Sequence, residues 1–425
     1  MGLVMLVFVG TVILGVPVAF VLGMAGLAHF ISIGNPAFFN VLINRIFSGI
    51  DNIGLIAIPF FILAGEVMNA GGVTKRLVDF VREMMGHVRG GLAYSTIVMA
   101  AVLSAMLGSA NAVASILGSV MVPEMVEDGY PDDFSASLVA SSAILGPVIP
   151  PSVTFIFFSV ITGVSVGGLF LAGIIPGVLL ALGFVGNIAY YSRFKKQLPK
   201  RDVKFSVVKF IKTFARAIPA LSVPFILIGG ILSGIFTPSE SGAVAVAAAF
   251  FASLFYGSFA FSKLPGIFYR SARISAGIFI IIGFGNILGW SFAIDGIPEL
   301  VSGWIMGITN NSYVIIFIMI IALIILDFMM EATAVILIFA PVLMPVAMGI
   351  GMDPVHFGVI FCITMTIALV TPPVGMTLFV TSNVTGVSLN RMSTSVLPFA
   401  AVAMIITTVL AYLPSLVMLI PRLFL

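Results

Sequence analysis

Asp327 and Glu331 stand four residues apart in ALIILDFMMEATAVILIF, an otherwise apolar stretch. On a helix they fall about one turn from each other. A carboxylate held inside hydrocarbon costs at least ~2.5–3.5 kcal/mol, so a residue of this kind ordinarily marks an ion or substrate path. A second polar cluster, LGSANAVAS (107–115), gathers Gly108, Ser109 and Asn111, with Ser104 one turn earlier; Thr333 follows Glu331. Small residues let backbones approach closely, and the hydroxyl, amide and carboxylate oxygens beside them suit a small hard cation. Helix packing alone would account for the glycine and alanines, but not for Asn111 or the two carboxylates. Nothing surrounds those carboxylates that could do covalent or metal chemistry. His29, His87 and His356 are far apart, Cys362 is the single cysteine, and no GxxxxGK loop occurs. The expectation is a non-enzyme that draws on an ion gradient or on another subunit for any uphill work.

Two further stretches could act through their backbone. GPVIPPS (146–152) interrupts SSAILGPVIPPSVTFIFFSVITG, and LVTPPVG (369–375) interrupts a similar apolar run. Adjacent prolines remove backbone donors and clash with the preceding turn, so both runs are predicted to break. Irregular backbone at that depth is tolerated where it lines a cavity or binds something. Carbonyls freed at half-helix C-termini suit a cation, while half-helix N-termini suit an anion. Gly146, Ser152, Thr154, Thr371 and Pro372 flank these breaks. Ser152, Thr154, Glu331 and Asn111 are therefore the candidates to touch a substrate.

The elements that must position these residues are membrane helices. Of 425 residues 60% are hydrophobic and 8% charged, with mean hydropathy +1.25. Soluble domains carry roughly 25% charged residues, and apolar runs of ~20 residues recur along the whole chain. The fold class expected is an all-α polytopic membrane protein. The stretch 192–212 holds eight of the lysines and arginines and reads as a cytoplasmic loop. With 91–126 and 313–348 taken as re-entrant hairpins, crossings counted from that loop place seventeen of nineteen basic residues inside, all but Arg45 and Arg422. The count also puts the C-terminus outside. The segment 72–88 has Val73, Leu77, Val81, Met84 and Val88 on one face and charges on the other, the pattern of a helix lying along the inner surface. Glu66 reads as an interfacial residue.

A shift of 222 residues superposes Pro123 on Pro345, Pro150-Pro151 on Pro372-Pro373 and Pro176 on Pro398. Thr162-Gly163-Val164-Ser165 recurs as Thr385-Gly386-Val387-Ser388. The chain thus reads as two related halves: 1–193, with hairpin 91–126 and broken helix 133–163, and 217–425, with hairpin 313–348 and broken helix 353–386. A basic linker, 194–216, joins them. The hairpins open to opposite faces by the crossing count, so the repeats are expected to be inverted, as in many secondary transporters. Repeat matching also favours two short helices over residues 2–33, turning at Gly15-Val16-Pro17, with the N-terminus outside.

LGVPVAFVLGMAGL (14–27), IAIPFFILAGEVMNAGG (56–72), GSANAVASILGSVMVPEM (108–125), LGPVIPPS (145–152), TPSESGA (237–243) and VTPPVGMTLFVTSNVTG (370–386) together resemble the large membrane subunit of tripartite ATP-independent periplasmic (TRAP) transporters, within the ion-transporter superfamily. The resemblance covers essentially the whole chain. It implies a sodium-coupled importer of organic acids, of the C4-dicarboxylate or sialic acid type, in a bacterial inner membrane. It implies two partners: a small four-helix membrane subunit, here a separate chain, and a soluble periplasmic protein that captures the substrate. It also implies an elevator, in which hairpins and broken helices move as a transport domain against a scaffold. Sodium would then bind near Ser104, Ser109, Asn111 and Gly146 in one half, and near Asp327, Thr333, Thr371 and Pro372 in the other. No nucleic-acid partner is expected. The alternative is a stand-alone sodium/anion carrier of the same superfamily that needs no binding protein.

Overall fold

The computed structural model describes residues 2–34, 37–85, 88–195, 198–199, 206–257, 259–372 and 375–424. Of the features singled out in the sequence, His87, Pro373, Lys196 and the basic residues among 200–205 lie outside the described residues. Every regular element among the described residues is helical. The first ten main helices are α1 (Gly2–Ile13), α2 (Val18–Ile33), α3 (Ala37–Ile50), α4 (Ala57–Ala70), α5 (Val73–Met85), α6 (Gly91–Leu107), α7 (Ala110–Glu127), α8 (Asp132–Ala143), α9 (Val153–Thr162) and α10 (Val166–Tyr190). Beyond the basic linker come α11 (Val207–Leu232), α12 (Pro238–Phe255), α13 (Leu264–Ile294), α14 (Ile297–Ile308) and α15 (Ser312–Met329). They are followed by α16 (Ala332–Gly349), α17 (Pro354–Ala368), α18 (Met376–Thr385) and α19 (Leu389–Tyr412).

Local chemistry sets many of these boundaries. Gly15 takes φ +72° and Pro17 precedes the first turn of α2, so residues 2–33 form two short helices rather than one tilted span. Thr237 and Glu240 close a reciprocal capping box at α12. Asp353 caps α17 by accepting from the amide of Val355 at 2.8 Å. The gap between α8 and α9 coincides with the three prolines of GPVIPPS, and the gap between α17 and α18 with LVTPPVG. Seven helical segments among the described residues are long and apolar enough to cross a membrane. Several of the rest are short because they are arms of tight pairs or halves of interrupted spans. α3 has no counterpart in the sequence reading. Asn40, Asn44 and Arg45 dilute its apolar content, so 37–50 does not register as a span.

The interior is built from the interrupted helices. Every residue of α8 from Phe134 to Ala143 is buried, and so is every residue of α17 from His356 to Ala368. Helices that are apolar or small on all sides belong in a core, since they offer no polar face to present outward. Contacts run crosswise between the halves: α7 packs on α18 and α16 on α9, while α8 packs on α19 and α17 on α10. Around this core lies an outer set in which α2 packs on α13, α12 on α4, and α11 on α12 and α5. Glu66 of α4 accepts from Arg270 of α13 at 2.7 Å, which ties two outer helices. At the exposed ends of two inner helices, Arg391 at the start of α19 holds Asp132 at the start of α8, with Nη1 2.7 Å from Oδ2.

Candidate functional site

The first tip joins α6 to α7 through Gly108 and Ser109. Gly108 has φ +59° and its amide donates to the Ser104 carbonyl at 3.0 Å, closing α6. Space here is tight. A Cβ on Gly108 would lie 3.1 Å from the Pro151 carbonyl oxygen and from the Val153 amide nitrogen. A Cβ on Gly146 would lie 3.0 Å from the Ser109 carbonyl carbon and 3.1 Å from the Ala110 nitrogen. The hairpin tip therefore sits in the mouth of the broken helix of its own half. Ser109, Gly146 and Ser152, distant in sequence, come together there, with Ser104 and Asn111 on the adjoining helix turns.

The break does not leave the last three carbonyls of α8 bare. Ile144 donates to Ser141, Leu145 to Ser142 and Gly146 to Ala143, a tightened turn that satisfies helix-end acceptors. Pro147 accepts from the Ser152 hydroxyl at 2.6 Å, and the same hydroxyl accepts from the Phe155 amide at 3.2 Å. Ser152 thus pins the break together. Buried side-chain oxygens lack partners here as well. The hydroxyl oxygens of Ser141 and Ser142 and Oδ1 of Asn111 are buried without a hydrogen bond. Ser104 instead turns its hydroxyl back to Ala100 at 2.5 Å. The sequence reading missed Ser141 and Ser142, although the polar run SASLVASSA before the break carries the signal.

In the second half, Met330 and Glu331 join α15 to α16. Asp327, 8% exposed, has its Oδ1 buried and unpartnered. Glu331 takes the N-cap position of α16, its side chain making no capping hydrogen bond. At the second break the Thr371 hydroxyl donates to Ile367 at 2.7 Å, and the Thr377 hydroxyl donates to Leu369 at 2.7 Å. The Leu369 carbonyl also accepts from the Thr377 amide at 3.0 Å. Thr371 and the half-buried Pro372 lie on that turn, and Pro373 is outside the described residues.

One cavity draws the two halves together. It is small, and its lining comes from four helices. α9 supplies Val153, Thr154 and Phe157, and α16 supplies Ala332, Thr333 and Ile336. The outer helices α4 and α13 add Ile58 and Ile278. The first break and the second tip thus share a chamber walled by outer helices. Thr154 and Thr333 were singled out by sequence. Ile58, Phe157, Ile278 and Ile336 carry no signal apart from being apolar. Among the described residues no group of three His, Cys, Asp or Glu is placed to hold a metal. The unpartnered oxygens of Asn111 and Asp327 belong to the two tips and are not among the residues lining this chamber.

Residues 4–416 match the family model described as tripartite ATP-independent periplasmic transporter, DctM component. The chain is 35% identical, over 94% of its own length and 93% of the relative's, to the C4-dicarboxylate TRAP transporter large permease protein of Pseudomonas aeruginosa. It is 34% identical to the sialic acid TRAP transporter large permease protein of Vibrio cholerae, covering 98% of this chain and 97% of that one. Its fold is similar to that of the YdaH transporter of Alcanivorax borkumensis, with a TM-score of 0.64, 15% identity, and coverage of 89% of this chain and 88% of that chain.

Proposed function

The chain belongs to the DctM component family of tripartite ATP-independent periplasmic transporters, as a multi-pass large membrane subunit, and from that premise we propose that it carries an organic acid anion inward on the sodium gradient. The observation that carries this reading is the shared cavity, where a broken helix of one half and a hairpin tip of the other meet outer helices α4 and α13. Substrate would sit between Thr154 and Thr333, with Ser152, Asn111 and Glu331 shaping the approach. Sodium, as co-transported ion, would occupy the oxygens around Ser104, Ser109, Asn111 and Gly146, and those around Asp327, Thr333, Thr371 and Pro372. A site built from two such halves places ion and anion close enough for each to favour the other's binding.

We further propose that the halves are inverted repeats and that the core moves as an elevator. Support for repetition is the recurring order of elements, in which α6–α10 and α15–α19 each run hairpin, interrupted helix, long helix. Support for inversion is the crossing count from the basic loop, by which the hairpins, taken as re-entrant, open to opposite faces with seventeen of nineteen basic residues on one side. The moving body would be α6–α10 with α15–α19, and the static frame α2, α4 and α11–α13. A small four-helix membrane subunit would brace that frame, and a periplasmic binding protein would deliver the acid.

Reconstitution into proteoliposomes tests this reading. Uptake is expected only with an inward sodium gradient, with the binding protein loaded outside and the small subunit present. Equal uptake after the sodium gradient is collapsed rejects the coupling. Full uptake without the binding protein moves the chain to the stand-alone alternative. Within the same assay Asn111→Ala is expected to raise the half-saturating sodium concentration about tenfold, equivalent to about 1.4 kcal/mol. An unchanged sodium titration would remove Asn111 from the ion site.

A further inference from the structure

The first turns of α11 carry a stripe of exposed cations beside a band of exposed apolar side chains. From that juxtaposition we infer a binding site for an anionic phospholipid, its phosphate on the stripe and its acyl chains along the band. The inference does not depend on what the chain transports.

Length sets the depth of these turns. α11 has 26 residues, and at a rise of 1.5 Å per residue that is about 39 Å of helix. The hydrocarbon core is about 30 Å thick, so the first turns reach the headgroup layer. At 3.6 residues per turn, Lys209, Lys212 and Arg216 fall within about 60° of arc. All three are exposed. Val208, Ile211, Ala215 and Ile218 occupy the neighbouring arc, about 80° wide. Val208 is 77% exposed, Ile211 59% and Ile218 50%. The remaining side turns to protein. Phe80 of α5 lies 5.6 Å from the ring of Phe210 and 5.4 Å from that of Phe214, and Ala217 is buried.

The stripe has no counter-charge in the protein. α11 contains no aspartate or glutamate. Among the described residues none of the three cations makes an ion pair. Lys209 and Lys212 are three apart and Lys212 and Arg216 four apart, the two spacings at which like charges on a helix repel. An anion seated across the stripe relieves that repulsion. The adjoining band states what else the anion must carry. Apolar side chains this exposed at the membrane boundary call for acyl chains, while the lysine stems run along them and hold their ammonium groups at the phosphate. A protein helix laid on the band would cover the apolar side chains and leave the cations unanswered unless it brought its own carboxylates. One phospholipid with a net negative headgroup supplies both parts, whereas in a phosphatidylcholine the choline cation offsets the phosphate.

The test is thermal unfolding of the full-length chain, purified in a neutral detergent and titrated with three probes. These are dioleoylphosphatidylglycerol, dioleoylphosphatidylcholine and glycerol 3-phosphate. Saturable stabilisation is expected with the phosphatidylglycerol alone. The triple substitution Lys209→Gln, Lys212→Gln, Arg216→Gln should raise its half-saturating concentration about a hundredfold, since each cation near an anionic surface strengthens binding about fivefold. Lys209→Arg with Lys212→Arg should bind as the wild type does, and so should Arg422→Gln at the far end of the chain. Ile211→Ser keeps every charge and trims the band, and it should weaken binding severalfold, so the site is tested from both of its parts. Equal stabilisation by phosphatidylcholine denies the charge selection, and equal stabilisation by glycerol 3-phosphate denies the lipid. An unchanged titration in the triple variant, or no stabilisation by phosphatidylglycerol, overturns the site.

Discussion

Asp327→Asn is expected to abolish sodium-driven uptake, by a hundredfold or more, while the protein accumulates in the membrane at the wild-type level. The substitution keeps size, shape and one acceptor oxygen, and removes only the charge. Asp327 is 8% exposed, and its Oδ1 has no protein partner. A buried carboxylate left without a hydrogen bond is costly, and a protein retains one where a charged ligand completes it. Loss of a hundredfold corresponds to about 2.7 kcal/mol, within the range a single buried charge commands. Folding should not suffer, because the neutral amide is cheaper to bury than the ion. Uptake retained at more than a tenth of wild type, with its sodium dependence unchanged, would deny Asp327 a place at the ion site.

The second large effect is expected at a residue with no side chain. Gly146→Val should reduce uptake at least tenfold and raise the sodium concentration needed for half-maximal rate. The first atom of any side chain at this position would lie 3.0 Å from the Ser109 carbonyl carbon and 3.1 Å from the Ala110 nitrogen, so the obstacle is backbone and cannot rotate aside. Valine forces the tip away from the break, and the ligand oxygens on the two elements separate. A displacement of about 1 Å is enough to cost roughly a hundredfold where positioning matters. Gly186→Ala on α10 serves as the comparison, because a Cβ there meets nothing within 4 Å. It should transport normally. If Gly146→Val does too, the contact between tip and break is incidental to transport.

Much of the framework was legible because it depends on local rules. Prolines at 147, 150 and 151 forbid continuous helix, and the interruption between α8 and α9 falls there. Gly15 and Gly108 adopt left-handed conformations that glycine allows, and the chain turns at both. Sustained apolar runs required membrane helices, and the quoted motifs pointed to the family that the comparisons established. The misses are those where a local rule gives no answer. α3 is a helix despite its asparagines and arginine, since half of it can face outward. The carbonyls at the end of α8 are satisfied because the turn tightens, an adjustment of backbone angles that residue types do not encode. The cavity wall joins Ile58 to Ile278 and Ile336, three isoleucines from helices far apart in the chain, and nothing in their neighbours marks them out.

The crosswise packing has a consequence for how the molecule is made. α8 is buried on all sides, but part of its cover is α18 and α19, and α9 depends in the same way on α16. When the first two hundred residues have emerged from the ribosome, their innermost pieces still lack the neighbours that will enclose them. The nascent front portion must therefore wait at the insertion machinery, or under lipid, until almost the entire polypeptide has been synthesised. Neither portion is a self-sufficient folding unit, and maturation of the first is timed by completion of the second.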